Sequence, residues 1–459
     1  MPSTRAAGWR TARNPRSALA AAPGALKAER RYLDLGVLAS MLAIVYGIWY
    51  SYGVIMVALL REFDWSRSVL AGAFSIFTLA HGFANPLIGW LCGRVAPPRV
   101  IVGGALLLAA ALVADSFVAA PWHLYLAFGV CTATGVAASG WVPALVLAQR
   151  RFPDRLGLAL GIVSSGVGLG MLLVVPLCQL LIDAFGWRTA FRTLAALCLA
   201  CVIPAALYIM RTSPPPSAGT RQTPHIERTE ARDRRAVRGW RIASPSLGGA
   251  TRTLVFWLIM TAWLLGNVCT QTLHVHQVVY LVDHGIAPIV AATVVSVVGA
   301  ASIVAKIGGG WISDWIDREI VYVAGIGIMV GAVGVLALVG IRPAAWGAYV
   351  YAVLLGVGYS VTASVIPAMA SDRFSGPHFG AIVGIGLLAS ALGSAIGPWF
   401  AGWLFDRTGS YGAALAIAAG CAAAAGVAAW RLRTLRLQAQ ASRAAGTDMG
   451  GDGGSAARI

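Results

Sequence analysis

Lys306 is a cation in a setting that disfavours charge. It lies in Ala301-Ser302-Ile303-Val304-Ala305-Lys306-Ile307-Gly308-Gly309-Gly310, late in a long apolar run, and of the 35 Lys and Arg residues it alone sits well inside such a run. An isolated ammonium in hydrocarbon costs several kcal/mol unless water, a pore or an anion meets it, so the position is a functional candidate by default. At about 1.5 Å rise per residue, Lys306 lies roughly 12 Å in from Asp314. That is near the middle of a hydrocarbon core about 30 Å thick, too deep for the side chain to snorkel out. The chemistry such a residue offers is capture of an anion.

Other polar groups share helix faces. His81 and Asn85 are four residues apart, as are His276 and Tyr280, and Asn267, Gln271 and His274 follow at i, i+4 and i+7. Tyr46, Trp49, Tyr50 and Tyr52 could supply an aromatic wall. His274 and His276 are poor metal partners, since i and i+2 point to opposite sides of a helix. The seven cysteines show no zinc-like spacing and read as packing residues, so neither metal nor cofactor is expected. No enzyme is expected either: Ala137-Ala138-Ser139-Gly140 lacks the first glycine of an intramembrane serine nucleophile motif, and no paired aspartates occur.

The elements that must position these groups are membrane spans. The chain has 459 residues, 58% hydrophobic and 12% charged, about half the charge content of ordinary soluble domains. Twelve apolar segments of about 20 residues or more run from 33–60 to 411–432. The expected fold is an all-α membrane protein, multi-pass in the lipid bilayer. Its parts are a disordered basic tail (1–32), a six-helix bundle (33–210), a linker (211–252), a second six-helix bundle (253–433) and a disordered tail (434–459). The linker carries Pro214-Pro215-Pro216 and nine arginines. The net charge of +17 does not point to nucleic acid, because the excess sits in the tails and alternate loops. Only Arg61, Arg67, Arg188, Arg192, Arg342 and Arg407 fall in the opposite set of loops. Both termini are therefore expected in the cytoplasm, and the setting is expected to be a bacterial inner membrane.

A shift of 223 residues aligns Arg150 with Arg373, Gly170 with Gly393, Asp183 with Asp406 and Gly186 with Gly409. A shift of 221 aligns Gly89-Trp90 with Gly310-Trp311, and so sets Asn85 opposite Lys306 and His81 opposite Ser302. Two parallel repeats imply a cavity between them, reached alternately from either side.

Several stretches together resemble the major facilitator superfamily, and within it the monocarboxylate porter and oxalate–formate antiporter branch. They are Phe63-Asp64-Trp65-Ser66-Arg67-Ser68, Gly89-Trp90-Leu91-Cys92-Gly93-Arg94, Arg151-Phe152-Pro153-Asp154-Arg155 with its following glycines, and His276-Gln277-Val278-Val279-Tyr280. The resemblance covers nearly all of 33–432. It departs in places: Gly93 stands where the pattern has aspartate, Lys306 where relatives carry arginine, and Ser302 where they carry aspartate. Residues 379–404 hold no second cation.

The resemblance implies a secondary transporter working by alternating access, by proton symport or anion exchange, and carrying a small organic anion, most simply a monocarboxylate. The second reading is an effluxer of lipophilic organic acids or drugs. Expected substrate-binding residues are Lys306, Asn85, His81, His276, Tyr280, Gln271, Asn267 and Tyr50. Expected gating residues are Gly89, Arg94, Gly310, Asp314, Arg150 and Arg373. Apart from Asp34 and Asp115 near helix ends the spans hold no acid at depth, so a coupled proton would have to use Lys306, His274 or His276. Ser66 or Ser68 should cap the second span. The sequence leaves the oligomeric state open.

Overall fold

The computed structural model describes residues 23–152, 156–212, 242–243, 247–313, 315–375 and 379–448. Asp314 lies outside them, as does most of the linker. Among the described residues, twelve helices are long and apolar enough to cross a membrane. They are spans 1 to 6 (Tyr32–Glu62, Arg67–Arg94, Pro97–Asp115, Pro121–Arg151, Ala159–Phe185, Trp187–Thr212) and spans 7 to 12 (Leu254–Asp283, Pro288–Gly309, Arg318–Ile341, Ala345–Arg373, Ile382–Thr408, Gly412–Ser442).

Local chemistry sets the ends. Ser66 Oγ accepts from the Val69 amide at 3.3 Å and caps span 2. Thr253 does the same for span 7 through Phe256. Prolines open spans 3 and 4, where a missing amide costs nothing. The repeat-related Gly186 and Gly409 both turn with positive φ (+80° and +67°) ahead of spans 6 and 12, a backbone region that favours glycine. Span 1 breaks at Ser51, whose hydroxyl donates to the Gly47 carbonyl at 2.8 Å. The break falls beside Tyr50. Span 4 contains a π-helical stretch, Tyr125–Thr132.

Two close crossings join the bundles. Spans 5 and 8 touch at Gly168 and Gly299, where a Cβ on Gly168 would lie 2.6 Å from the Gly299 carbonyl oxygen. Spans 2 and 11 touch at Gly82, where a Cβ would lie 2.7 Å from that of Ala391. Small residues let helices approach this closely in lipid. Gly166 and Gly170 press instead on the backbone of Ala39 and Ala43 in span 1, so that glycine stripe packs the first bundle internally.

Helix extends into both stretches expected as tails. The first helix starts at Pro23 and the last runs to Asp448. Arg433 and Arg436 at the end of span 12 are held by Asp317, and alanine-rich sequence favours continuation of the helix. Of the linker, Ile242–Ala243 pairs in parallel with Phe374–Ser375 at the end of span 10.

Candidate functional site

Lys306 is half-buried on span 8, with its Nζ 5.6 Å from the centre of the Tyr359 ring, within cation–π range. Among the described residues no carboxylate pairs with it. Ser302, one turn before, is fully buried and donates to the Gly299 carbonyl at 2.7 Å. The buried acids are engaged elsewhere: Asp34 with Arg151, Glu319 with Arg373, and Asp115 with the Thr132 hydroxyl at 3.0 Å. Asp115, near a helix end in the chain, is wholly enclosed in space.

A row of rings leads from Lys306 to the middle of the molecule. Tyr359 meets His274 edge-on at 4.9 Å, and His274 meets Tyr50 at 5.2 Å. His274 is 5% exposed, and neither ring nitrogen has a hydrogen-bond partner among the described residues. A buried imidazole without partners is unusual. It marks a place where a polar ligand would gain bonds.

Tyr50 also walls a cavity of about 670 Å³ between spans 1, 2, 4, 7 and 11. His81, Asn85, Asn267 and Gln271 line it, as the sequence expected them to share a site. Asn85 Nδ2 lies 3.3 Å from His81 Nδ1. With the amide donating, His81 carries its proton on Nε2. Phe83, Leu387 and Leu388 also line the cavity and are 61, 55 and 37% exposed. Lys306 does not line this cavity; the Tyr50–His274–Tyr359 row separates the two.

His276 and Tyr280 are not brought to the cavity. His276 Nε2 donates to the Pro398 carbonyl at 2.8 Å, and its Nδ1 accepts from the Tyr411 hydroxyl at 2.9 Å. Tyr280 packs on His284 and Tyr411. Both belong to a polar cluster at the opposite end, centred on a residue that sequence reasoning passed over. Arg67 of span 2 pairs with Asp283 at 2.6 Å, donates to the Tyr411 hydroxyl at 2.8 Å, and lies over the Phe405 ring. Asp406 accepts from the Arg67 and Ser68 amides, both at 2.9 Å. Burial pushes the Tyr411 phenol above its ordinary value against the pull of Arg67, so it stays a neutral link between Arg67 and His276. The signal in the sequence was the marker containing Arg67, for which capping by Ser66 already sufficed.

Asp314 aside, which lies outside the described residues, the expected gating residues lie at the Arg151 end. Arg94 covers the Trp90 ring at 3.7 Å, beside Gly89. The repeat-related arginines differ: Arg373 is buried against Glu319, whereas among the described residues Arg150 bonds the Cys92 carbonyl alone, at 3.4 Å. Gly310 lies in the helix that carries Lys306. Among the described residues, no three His, Cys, Asp or Glu side chains gather as metal ligands would.

Known proteins align with this arrangement. A rat protein named monocarboxylate transporter 13 is 28% identical over 82% of this chain and 82% of its own. A mouse protein named monocarboxylate transporter 11 is 28% identical over 81% and 80%. Among solved structures, a point mutant of the nucleoside transporter NupG superposes with a TM-score of 0.68 at 12% identity, covering 88% of this chain and 99% of that one. A bacterial homologue of the human lysosomal transporter Spinster, solved inward-facing and unoccupied, gives 0.60 at 17%, covering 89% and 96%. These two likenesses concern the fold. Residues 38–362 match the sequence pattern of the Major Facilitator Superfamily. With twelve spans and homology to monocarboxylate transporters, the chain is an integral multi-pass membrane protein and a transporter rather than an enzyme, and it belongs to the major facilitator superfamily.

Proposed function

We propose that this transporter moves a small organic anion, a monocarboxylate, by alternating access, with Lys306 as the anchor for the carboxylate. The observation that carries this is a half-buried mid-span ammonium with Tyr359 beside it and no carboxylate partner among the described residues. Burying an unpaired cation is costly, and a bound carboxylate removes that cost. A loaded site can therefore close where an empty one resists closing. His274, beside Tyr359, supplies further hydrogen-bonding capacity and is the favoured group for a coupled proton, since His276 is fully engaged.

The charge distribution supports both termini in the cytoplasm. The Arg67 cluster then lies at the outer face and holds it closed. With no acid beside Lys306 among the described residues, anion exchange and proton symport are both chemically open to the site. Uptake of radiolabelled pyruvate into proteoliposomes separates them. Saturable uptake is the expected result, and its absence for pyruvate and for larger monocarboxylates would sink the reading. Acceleration by an inward proton gradient into empty vesicles marks symport, and dependence on preloaded anion marks exchange.

A further inference from the structure

Three hydrogen bonds in the Arg67 cluster fix where every proton sits. The Pro398 carbonyl can only accept, so His276 carries its hydrogen on Nε2 and offers Nδ1 as an acceptor. The Tyr411 hydroxyl gives its single hydrogen to that nitrogen at 2.9 Å and accepts from Arg67 at 2.8 Å. His276 and Tyr411 are each 4% exposed, so bulk water offers neither of them a substitute partner. A second proton on the ring turns Nδ1 from acceptor into donor. The Tyr411 oxygen then faces two donors, the imidazolium and the guanidinium, while its own hydrogen is left without an acceptor. An orphaned buried donor is costly.

The neighbouring charges do not decide the matter alone. Arg67 of span 2 opposes a proton on His276, while Asp283 of span 7 and Asp406 of span 11 favour one. Both carboxylates are already engaged, Asp283 with the Arg67 guanidinium and Asp406 with the Arg67 and Ser68 amides. Tyr280 and His284, which pack on each other, are the further titratable groups at this end of span 7. The bundle boundary matters more: His276, Pro398 and Tyr411 belong to the second bundle, and Arg67 to the first. When the bundles part here, the Tyr411 oxygen is free to accept from Nδ1–H and its hydrogen can turn to water. The neutral ring fits the closed form and the protonated ring fits the open one. We propose that His276 is a pH-sensitive latch, through which acid on this face releases Arg67 from Tyr411 and opens the gate. This rests on the reading that the Arg67 cluster holds this end closed. The latch proton is distinct from the coupled proton assigned to His274.

The amides of Arg67 and Ser68 donate to Asp406 across the bundle boundary, so their hydrogen–deuterium exchange reports the gate directly. A ring that takes its proton only in the open form, near the ordinary imidazole value of about 6.5, shifts the opening equilibrium by at most about tenfold between pH 7.5 and 5.5. Both conditions lie above the ordinary carboxylate range. In the purified full chain in detergent, corrected for the intrinsic pH dependence of amide exchange, protection of residues 63–68 should fall at least threefold from pH 7.5 to 5.5. In His276→Gln, which takes up no proton there, it should fall less than threefold. A smaller fall in the wild type overturns the inference. So does a wild-type fall in His276→Gln, which keeps His123 and His284. If His276→Gln gives no monodisperse gel-filtration peak, Tyr411→Phe removes the shared hydroxyl and should lose the response likewise; a retained response overturns the latch. Arg67→Gln separates the two levels. If it loses protection at both pH values while the wild type ignores pH, the latch alone is wrong. If its protection matches the wild type at both, the closed-gate reading fails and the latch falls with it.

Discussion

Arg67 and Asp283 form an ion pair of 2.6 Å that ties span 2 of the first bundle to the end of span 7 in the second. The same guanidinium bonds Tyr411, so one residue joins three elements at one end of the molecule. Hydrogen bonds to charged groups contribute about 1.5–3 kcal/mol each. Arg67→Gln should therefore shift the balance toward opening at this end by on the order of 2 kcal/mol, or about 30-fold. Hydrogen–deuterium exchange of the segments around 63–68 and 283–287 should rise, and transport should slow. Unchanged exchange would show that the ion pair does not hold this end closed.

The two repeat-related arginines should respond unequally. Glu319→Gln removes the buried charge that pairs with both Arg373 and Arg436, and breaking a buried pair costs about 3–5 kcal/mol. Arg150→Gln removes only a long bond to a carbonyl, for which roughly 1 kcal/mol or less is expected. Thermal unfolding in detergent should show a large drop for Glu319→Gln and a small one for Arg150→Gln. Equal drops would contradict the assigned partners.

Asp317, in the turn before span 9, gives a pH signature. Burial pushes its carboxyl up, but the guanidiniums of Arg436 and Arg433 together outweigh burial and hold it below the usual range. A depressed folded value means stability that is present above the unfolded value of about 3.9 and lost as pH falls through the folded value. Unfolding temperature should therefore fall below about pH 4, and Asp317→Asn should flatten that acid limb. An acid limb identical in Asp317→Asn would remove this group from the account.

Much of the architecture was legible because its causes are local. Twenty apolar residues in a row can do little but span, and the i, i+4 spacing with the repeat was enough to pair His81 with Asn85. Span 7 was harder. Nearly every residue from Val268 to Leu281 is buried, so no polar face distinguishes the side of His274 from that of His276. A helix buried all round carries no periodicity to read. The Arg67 cluster was invisible for another reason, since its partners Asp406 and Tyr411 are 339 and 344 residues away. The separation of Lys306 from the cavity depends on where Tyr50, His274 and Tyr359 meet, three residues on three different spans.

If Lys306 holds the substrate carboxylate, transport depends on its charge. Lys306→Gln keeps a polar side chain, somewhat shorter, and removes the charge. The decisive measurement is saturable monocarboxylate uptake by wild type and Lys306→Gln in matched proteoliposomes, with equal reconstitution verified by gel. Loss of a charge-assisted bond of roughly 2–3 kcal/mol predicts at least a 30-fold fall in uptake efficiency. Wild-type uptake by a folded Lys306→Gln would contradict the account.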